Sequence, residues 1–394
     1  MKKTIYLIIS ILLVASCVYP FEPEGVVSQP RLVFEGDIVL GEVFSITVRS
    51  THPINPDDTE GFIGVQTGKA RVESSKGAIY PGINWSSGGD GLRFSFDLTG
   101  ADPDAEYRLH FHEEGGDGKD YYSSWQEVMA APEVTDLEFD YDDEKVHIRV
   151  DAGSSTSSYF KWDYTEDWQF HAEYIPHYWF NVPSRSVMPY EGGYDDSLYW
   201  CWNHASSVES GLASTGSLKE NRLDGQLVVS FDRSNIRFQW RYRMDITMRN
   251  LGKEAYDYLR NMNEISDISG DLFSPNPNDM RGNMVCVQDS SEFVIGYISA
   301  VQLARKRMYI ASDENTFYKA PSSTELFLPE VSQSRGLLDY FNADFRPVMD
   351  IPVDMGTAVG WGPLRCIDCR ASGGTKLRPS DWPEDPDKDK NPAI

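Results

Sequence analysis

Cys366-Ile367-Asp368-Cys369 sets two thiols at a spacing that serves redox exchange, zinc binding or a local disulfide. A reactive CxxC normally opens a helix after a βαβ strand, where the helix dipole lowers the thiol pKa. Here the motif sits among Gly, Pro and Arg in an apparent loop, so a local structural disulfide is favoured over pairing of one member with Cys201. Zinc would require a second short-spaced ligand pair, and Cys201 with His204 is the only offer. His110-Phe111-His112 puts two imidazoles on one face of a strand, with Glu113 and Glu114 following, but no third and fourth ligand is apparent. The expectation is a pair of exposed strand histidines.

Other groupings fail on geometry. His171 and His177 are too irregularly placed around Glu173 for HExxH, and Pro176 would break the helix that motif needs. Ser158-Tyr159-Phe160-Lys161 matches SxxK only in letters. That pair works on a helical turn, whereas residues three apart on a strand face opposite ways. GxSxG, the phosphate-binding loop and GxGxxG are not in the chain. Asp140, Asp142, Asp143 and Glu144 read as a solvated acidic turn, with Ca2+ binding the lesser alternative. No catalytic residue, metal site or cofactor is therefore assigned.

Charge narrows the partners. The chain has 36 Lys+Arg against 61 Asp+Glu, net −25, and removal of Lys2 and Lys3 with a leader gives −25 − 2 = −27. Neutralising phosphates requires clustered cations, so nucleic acid is excluded, as is an electrostatic hold on anionic lipid. With 40% apolar and 13% aromatic residues the chain can bury more than one core.

Met1-Lys2-Lys3, an apolar run over 5–14 and Val14-Ala15-Ser16 read as a signal peptide spanning 1–16. The run is too short to cross ~30 Å of hydrocarbon comfortably. Small residues followed by Cys17 resemble the bacterial lipobox, which implies acylation of Cys17 and firm anchoring through its lipid chains. The proline-rich segment after Cys17 suits an extended tether over 17–27, and its acidic residues resemble a surface-export signal.

β-branched and aromatic runs with turn residues about every ten positions dominate the rest, so the expected class is mainly β. Residues 28–131 are expected to form an N-terminal antiparallel, Ig-like sandwich, with strands in 31–36, 43–48, 92–97 and 107–111. Residues 132–325 are expected to form a fibronectin-III-like sandwich carrying an aromatic-rich, partly helical insertion over 165–222 and a packing helix over 253–265. A C-terminal segment with the CxxC covers 326–372, and the Pro/Asp/Lys-rich tail 373–394 is expected to be disordered.

Trp168, Tyr178, Trp179, Tyr199, Trp200 and Trp202 belong to a crowd of Trp and Tyr in the insertion that exceeds the needs of one sandwich core. Such side chains suit protein or glycan interfaces, and they equally suit a second small core beneath the insertion.

Several segments together resemble a Bacteroidota-type outer-membrane lipoprotein family catalogued as a domain of unknown function and usually encoded beside SusC-like TonB-dependent receptors. They are the lipobox with Pro20-Phe21-Glu22-Pro23, Tyr159-Phe160-Lys161-Trp162, Glu166-Asp167-Trp168, Cys201-Trp202, the stretch from Asp271 to Gly282-Asn283, Val294-Ile295-Gly296-Tyr297, and the CxxC with Gly373-Gly374 and Trp382. The resemblance implies an outer-membrane, lipid-anchored location beside a TonB-dependent receptor, surface-exposed where the acidic residues after Cys17 act as the export signal, and it implies no activity. One departure is Cys286, where an apolar residue is expected after Gly-Asn. The expected role is a non-enzymatic accessory or ligand-binding subunit; the alternatives are a surface glycan or peptide hydrolase with a carboxylate pair, or a structural envelope-assembly lipoprotein.

Overall fold

In the computed structural model the described residues are 31–51, 65, 67–84, 91–114, 118–267, 281–311, 316–332, 336–354 and 356–382. Cys17, the leader, the tether, the stretch 271–280 and the end of the tail lie outside them. The protein is mainly β, built of several antiparallel sheets around three buried apolar clusters.

The first cluster lies between a four-stranded sheet, ordered Leu32–Glu35, Val43–Ser50, Leu92–Asp97 and Ile83–Asn84, and a five-stranded one. The latter runs Met284–Cys286, Asp120–Ser123, Tyr107–Glu113, Gly68–Ser74 and Ile79–Pro81. Alternation dictates the inward set: Phe94, Phe96, Tyr107, Leu109 and Phe111 are all buried. All four strands expected here from alternation are present.

This core is not made from contiguous sequence. Beyond the helix Lys253–Asp267 the chain returns to it, and Met284, Cys286, Val294, Ile298 and Ala300 complete the cluster. The return runs parallel to the first strands: Phe34 N donates to Ile295 O (2.9 Å), Ile38 N to Ser299 O (2.8 Å) and Leu40 N to Val301 O (2.9 Å). Contiguous boundaries at 131 and 132 do not contain this crossing, because residues 294–301, inside the span 132–325, belong with the first core.

The family-like pieces Gly282-Asn283 and Val294 to Tyr297 have a physical reason here. The Asn283 amide bonds both Ile298 N and Ile298 O at 2.8 Å, closing the loop on itself. A Cβ on Gly282 would stand 1.7 Å from Gly296 O, and one on Gly296, at φ +127°, would stand 2.3 Å from Phe34 O.

The second cluster lies between a three-stranded sheet, Glu133–Tyr141, Lys145–Gly153 and Arg222–Asp232, and a five-stranded one. That sheet is ordered Trp200–Ser206, Tyr159–His171, Arg241–Asn250 and Ala304–Ile310, with Gly211–Ser214 also paired to the long strand. The helix Lys253–Asp267 packs on this region through buried Ala255, and its Tyr258 hydroxyl accepts from Gly296 N at 2.9 Å. The two regions are also joined by charge. Asp37, 8% exposed, meets Arg249 at 3.2 Å and Lys161 at 3.7 Å, and Glu42 takes a bidentate bond from Arg305.

The third cluster joins the hairpin Tyr178–Asn181/Ser186–Pro189, inside the insertion, to the C-terminal hairpin Phe345–Val353/Gly356–Pro363 and the short helix Leu337–Asn342. Phe180, Tyr340 and Trp361 are its buried centre.

The tail expectation needs correction over 373–382. Thr375 exchanges both backbone bonds with Trp202 (2.7 and 2.8 Å), Trp382 is 4% exposed, and Asp381 pairs with Arg243 and Arg307. The composition is that of a solvated tail, but one buried indole and one clamped carboxylate hold it down.

The close approach at Gly282 leads to a prediction. Gly282→Ala should lower unfolding stability by about 2–3 kcal/mol through overpacking against backbone, whereas Gly100→Ala, which meets nothing within 4 Å, should stay within about 0.5 kcal/mol. Urea unfolding monitored by tryptophan fluorescence measures both.

Candidate functional site

The six aromatic candidates divide by environment. Trp168 is 4% exposed, with the Arg237 guanidinium 4.3 Å above its ring. Arg237 also pairs with buried Glu166, whose second oxygen accepts from the Tyr242 hydroxyl at 2.8 Å. Tyr199 is 9% exposed and stacks on His171 at 4.7 Å, and half-buried Trp200 meets Tyr199, His171 and Trp240 at 5.3, 5.0 and 5.0 Å. Half-buried Trp202 holds Thr375 through its backbone. Tyr178 is half-buried and donates to Asp350 at 3.0 Å, a bond that raises its phenol pKa above the usual range, with burial adding to the rise. Most of the aromatic surplus therefore fills apolar packing.

Trp179 differs. It occupies the outward register of the 178–189 hairpin directly opposite Met188, and these two are 38% and 41% exposed, with Val182 at the tip 43% exposed. The alternate register carries Phe180 opposite Val187, and Phe180 packs on Phe341 at 5.2 Å and Trp361 at 5.7 Å. The turn is shaped by Asn181, whose side chain accepts from Ser184 N, and by Arg185 in the left-handed region at φ 53°. An apolar outer face thus stands on a rigid inner one. Met188 and Val182 were not among the residues singled out from sequence, although the alternation Trp179-Phe180 and Val187-Met188 about Val-Pro-Ser-Arg carries the hairpin signal.

The favoured local disulfide is corrected. Cys201 bonds Cys369, across 168 residues with Cα atoms 5.7 Å apart, and Cys366 is a free, buried thiol. The cause is local geometry. Asp368 caps the following turn by accepting from Arg370 N, which directs Cys369 into the second cluster, while the Cys366 sulfur lies against Gly362 of the C-terminal hairpin. Burial pushes the Cys366 thiol up to about 12, so it is inert at neutral pH. A loop of 168 residues makes the crosslink worth about 5 kcal/mol at most in the chain-entropy picture. The departure Cys286 is also free and buried.

His110 is not exposed as expected. It is 6% exposed, stacks on Tyr122 at 4.2 Å and shares the Asp120 carboxylate with His112, at 2.8 and 3.0 Å. Asp120, from the next strand, is the partner that the short-range pattern could not reveal. Among the described residues no three His, Cys, Asp or Glu side chains are grouped to hold a metal ion. Ser158 donates to Asn221 while Lys161 faces Asp37, so the SxxK letters do not meet. Asp142 accepts from Glu144 N and Lys145 N and so closes the acidic turn itself. Glu113 is held above the usual carboxylate range by burial, with Lys119 opposing and the charge of Glu292 adding.

Burial holds the His171 imidazole below its usual pKa, partly offset by its bond to the Ala172 carbonyl (2.6 Å). A depressed folded pKa means that the unfolded chain binds more protons. Stability is therefore complete above pH 6.5 and declines as pH falls below it toward the folded value. Chemical unfolding between pH 7.5 and 5.5 should show this decline, with a shallower slope in His171→Phe; His110, lowered chiefly by burial as well, leaves a residual slope.

A comparison with curated proteins finds no match. Among solved structures, a DUF4785 family protein from Legionella pneumophila aligns at 8% identity and TM-score 0.20, over 55% of this chain and 51% of that one. Trypsin-activated alpha-2-macroglobulin from Escherichia coli aligns at 7% identity and TM-score 0.19, over 58% and 15%. Scores this low carry no inference about fold or role. The family model described as "Domain of unknown function (DUF4249)" matches residues 18–307, most of the sequence, and the chain belongs to that family.

Proposed function

We propose that this chain is an outer-membrane lipoprotein, anchored through Cys17, that serves as a non-enzymatic accessory or ligand-binding subunit of a TonB-dependent transporter system. The observation that carries the reading is the apolar face of Trp179, Met188 and Val182 on a hairpin whose other face is locked into its own aromatic cluster. A rigid, exposed Trp-Met surface stabilises a protein contact at little cost in side-chain entropy. The basic and apolar leader with small residues before Cys17 supports the anchor. The order of three-stranded and five-stranded sheets about one core supports a fibronectin-III-like arrangement of the second region.

A second reading, a surface hydrolase, draws on two acidic neighbours, Glu113, held above the usual carboxylate range by burial, and Glu292, whose charge adds to that rise and which pairs with Lys119 at 2.8 Å. Turnover of a glycan or peptide that is lost in both Glu113→Gln and Glu292→Gln would favour it.

Purification of the full-length lipoprotein from its native outer membrane in mild detergent tests the main reading. A TonB-dependent receptor should co-purify near stoichiometrically, and Trp179→Ser/Met188→Ser should reduce its recovery at least tenfold with unchanged unfolding. Cys17→Ala should move the protein out of the membrane fraction. Recovery of the protein alone, or full retention of the Cys17 variant on the membrane, contradicts the reading.

A further inference from the structure

The strap 373–382 is held at two places and little between them. At its start, Thr375 adds to the edge of the strand Trp200–Ser206 through paired backbone bonds with Trp202, and Lys376 Nζ donates to Trp200 O. At its end, Arg243 Nη1 and Arg307 Nη1 converge on the Asp381 carboxylate at 2.8 and 2.6 Å, and the Trp382 indole is buried with the Arg243 guanidinium 5.5 Å from its ring centre. Between these points Leu377, Arg378 and Ser380 are exposed, Leu377 at 79%, and Pro379 is half-buried. The stretch between the two holds, with little buried surface of its own, is the part of the strap that frays most easily.

The two arginines of the seat are also held by groups outside the strap. Arg243, its side chain 6% exposed, is fastened by Nε and Nη2 to Asp167 (3.1 and 2.5 Å), and Arg307 by Nε and Nη2 to Asp245 (2.6 and 3.0 Å). These bonds aim the two remaining Nη1 groups at one point, so they make a preorganised receptor for a carboxylate. Beside it lies a sheet edge that takes an extended chain and a seat that buries an indole.

We propose that the edge of strand Trp200–Ser206 together with Arg243 and Arg307 is a peptide-binding site for an extended, acidic, tryptophan-bearing segment of a protein partner, which Asp381–Trp382 of this chain occupies in cis. Recognition is by strand addition, with the carboxylate clamp and the indole seat supplying specificity. The tethered tail competes at high effective concentration, so the site responds only to a segment that binds more tightly than the chain's own or is itself tethered nearby. This inference stands apart from the transporter reading, because its probe is a synthetic peptide.

The test uses the mature full-length chain carrying Asp381→Asn/Trp382→Ala, which empties the latch, and a fluorescent peptide with the sequence of residues 373–386. Anisotropy should show saturable binding to this variant, at least tenfold weaker binding to the wild type, at least tenfold weaker binding of a peptide bearing the same two substitutions, and loss of affinity as salt is raised from about 50 to 500 mM. A variant that unfolds cooperatively but binds neither peptide, or binds both alike, overturns the proposal. Should the variant fail to fold, hydrogen exchange on the wild type with excess peptide decides. Faster exchange at the chain's own Thr375 amide, with the Trp202 amide kept protected by the bound peptide, supports the proposal, and unchanged exchange at Thr375 overturns it.

Discussion

The return of the chain along Leu32 to Leu40 is the contact on which the rest depends. Phe34 sits in the first core, and its backbone receives the returning segment through Ile295 and tolerates it only because Gly296 and Gly282 lack side chains. The closure makes the first core a product of two stretches separated by most of the second region, whose last strand Ala304–Ile310 follows the return. The helix Lys253–Asp267, the Tyr258–Gly296 bond and the pair Asp37–Arg249 all follow from that crossing. A hinge between two independent beads is not what this connectivity builds; the two regions are sewn together.

Charge is organised on the same principle. A net charge of −25 destabilises a compact chain by self-repulsion, yet arginines are set among the acids, in exposed pairs such as Arg49–Glu35 and in buried ones such as Arg243–Asp167. Glu166 and Asp167 are consecutive on one strand and so point to opposite faces. Arg237 and Tyr242 satisfy the first, Arg243 the second, and Trp168 next to them packs beneath Arg237. A buried carboxylate so paired serves the sheet, which is why a pair of acids in the sequence does not by itself announce hydrolysis. The aromatic crowd follows the same logic: Tyr199, Trp200, Trp240 and His171 pack on one another, and Trp179 is left exposed on its hairpin.

What was legible in the residues was whatever depends on near neighbours. Alternation in Leu92–Asp97 and Tyr107–Glu113 announces strands, and the face formed by Ala255, Tyr258, Leu259 and Met262 announces the helix. What was not legible depends on partners distant in sequence. The spacing of Cys366 and Cys369 invites local closure, but the cap at Asp368 and the fit of Cys366 against Gly362 send the two thiols different ways. Residues 294–301 have strand composition whether they serve the first core or the second. The tail is polar on average, and an average does not register one Trp382 and one Asp381 that find fixed seats. Of the aromatic candidates, composition supplied the set, and only the register of the hairpin separates Trp179 from the others.

The central claim is that the Trp179 face meets a transporter in the outer membrane. Its most direct measurement places a photo-crosslinking amino acid at position 179, in the full-length lipoprotein in its native membrane, with position 208 as a more exposed control, since Val208 is 99% exposed against 38% for Trp179. The account predicts a crosslink from position 179 to a single TonB-dependent receptor and none from position 208. Absence of any crosslink from position 179 while the protein is folded and membrane-bound, or the same products from both positions, would contradict it.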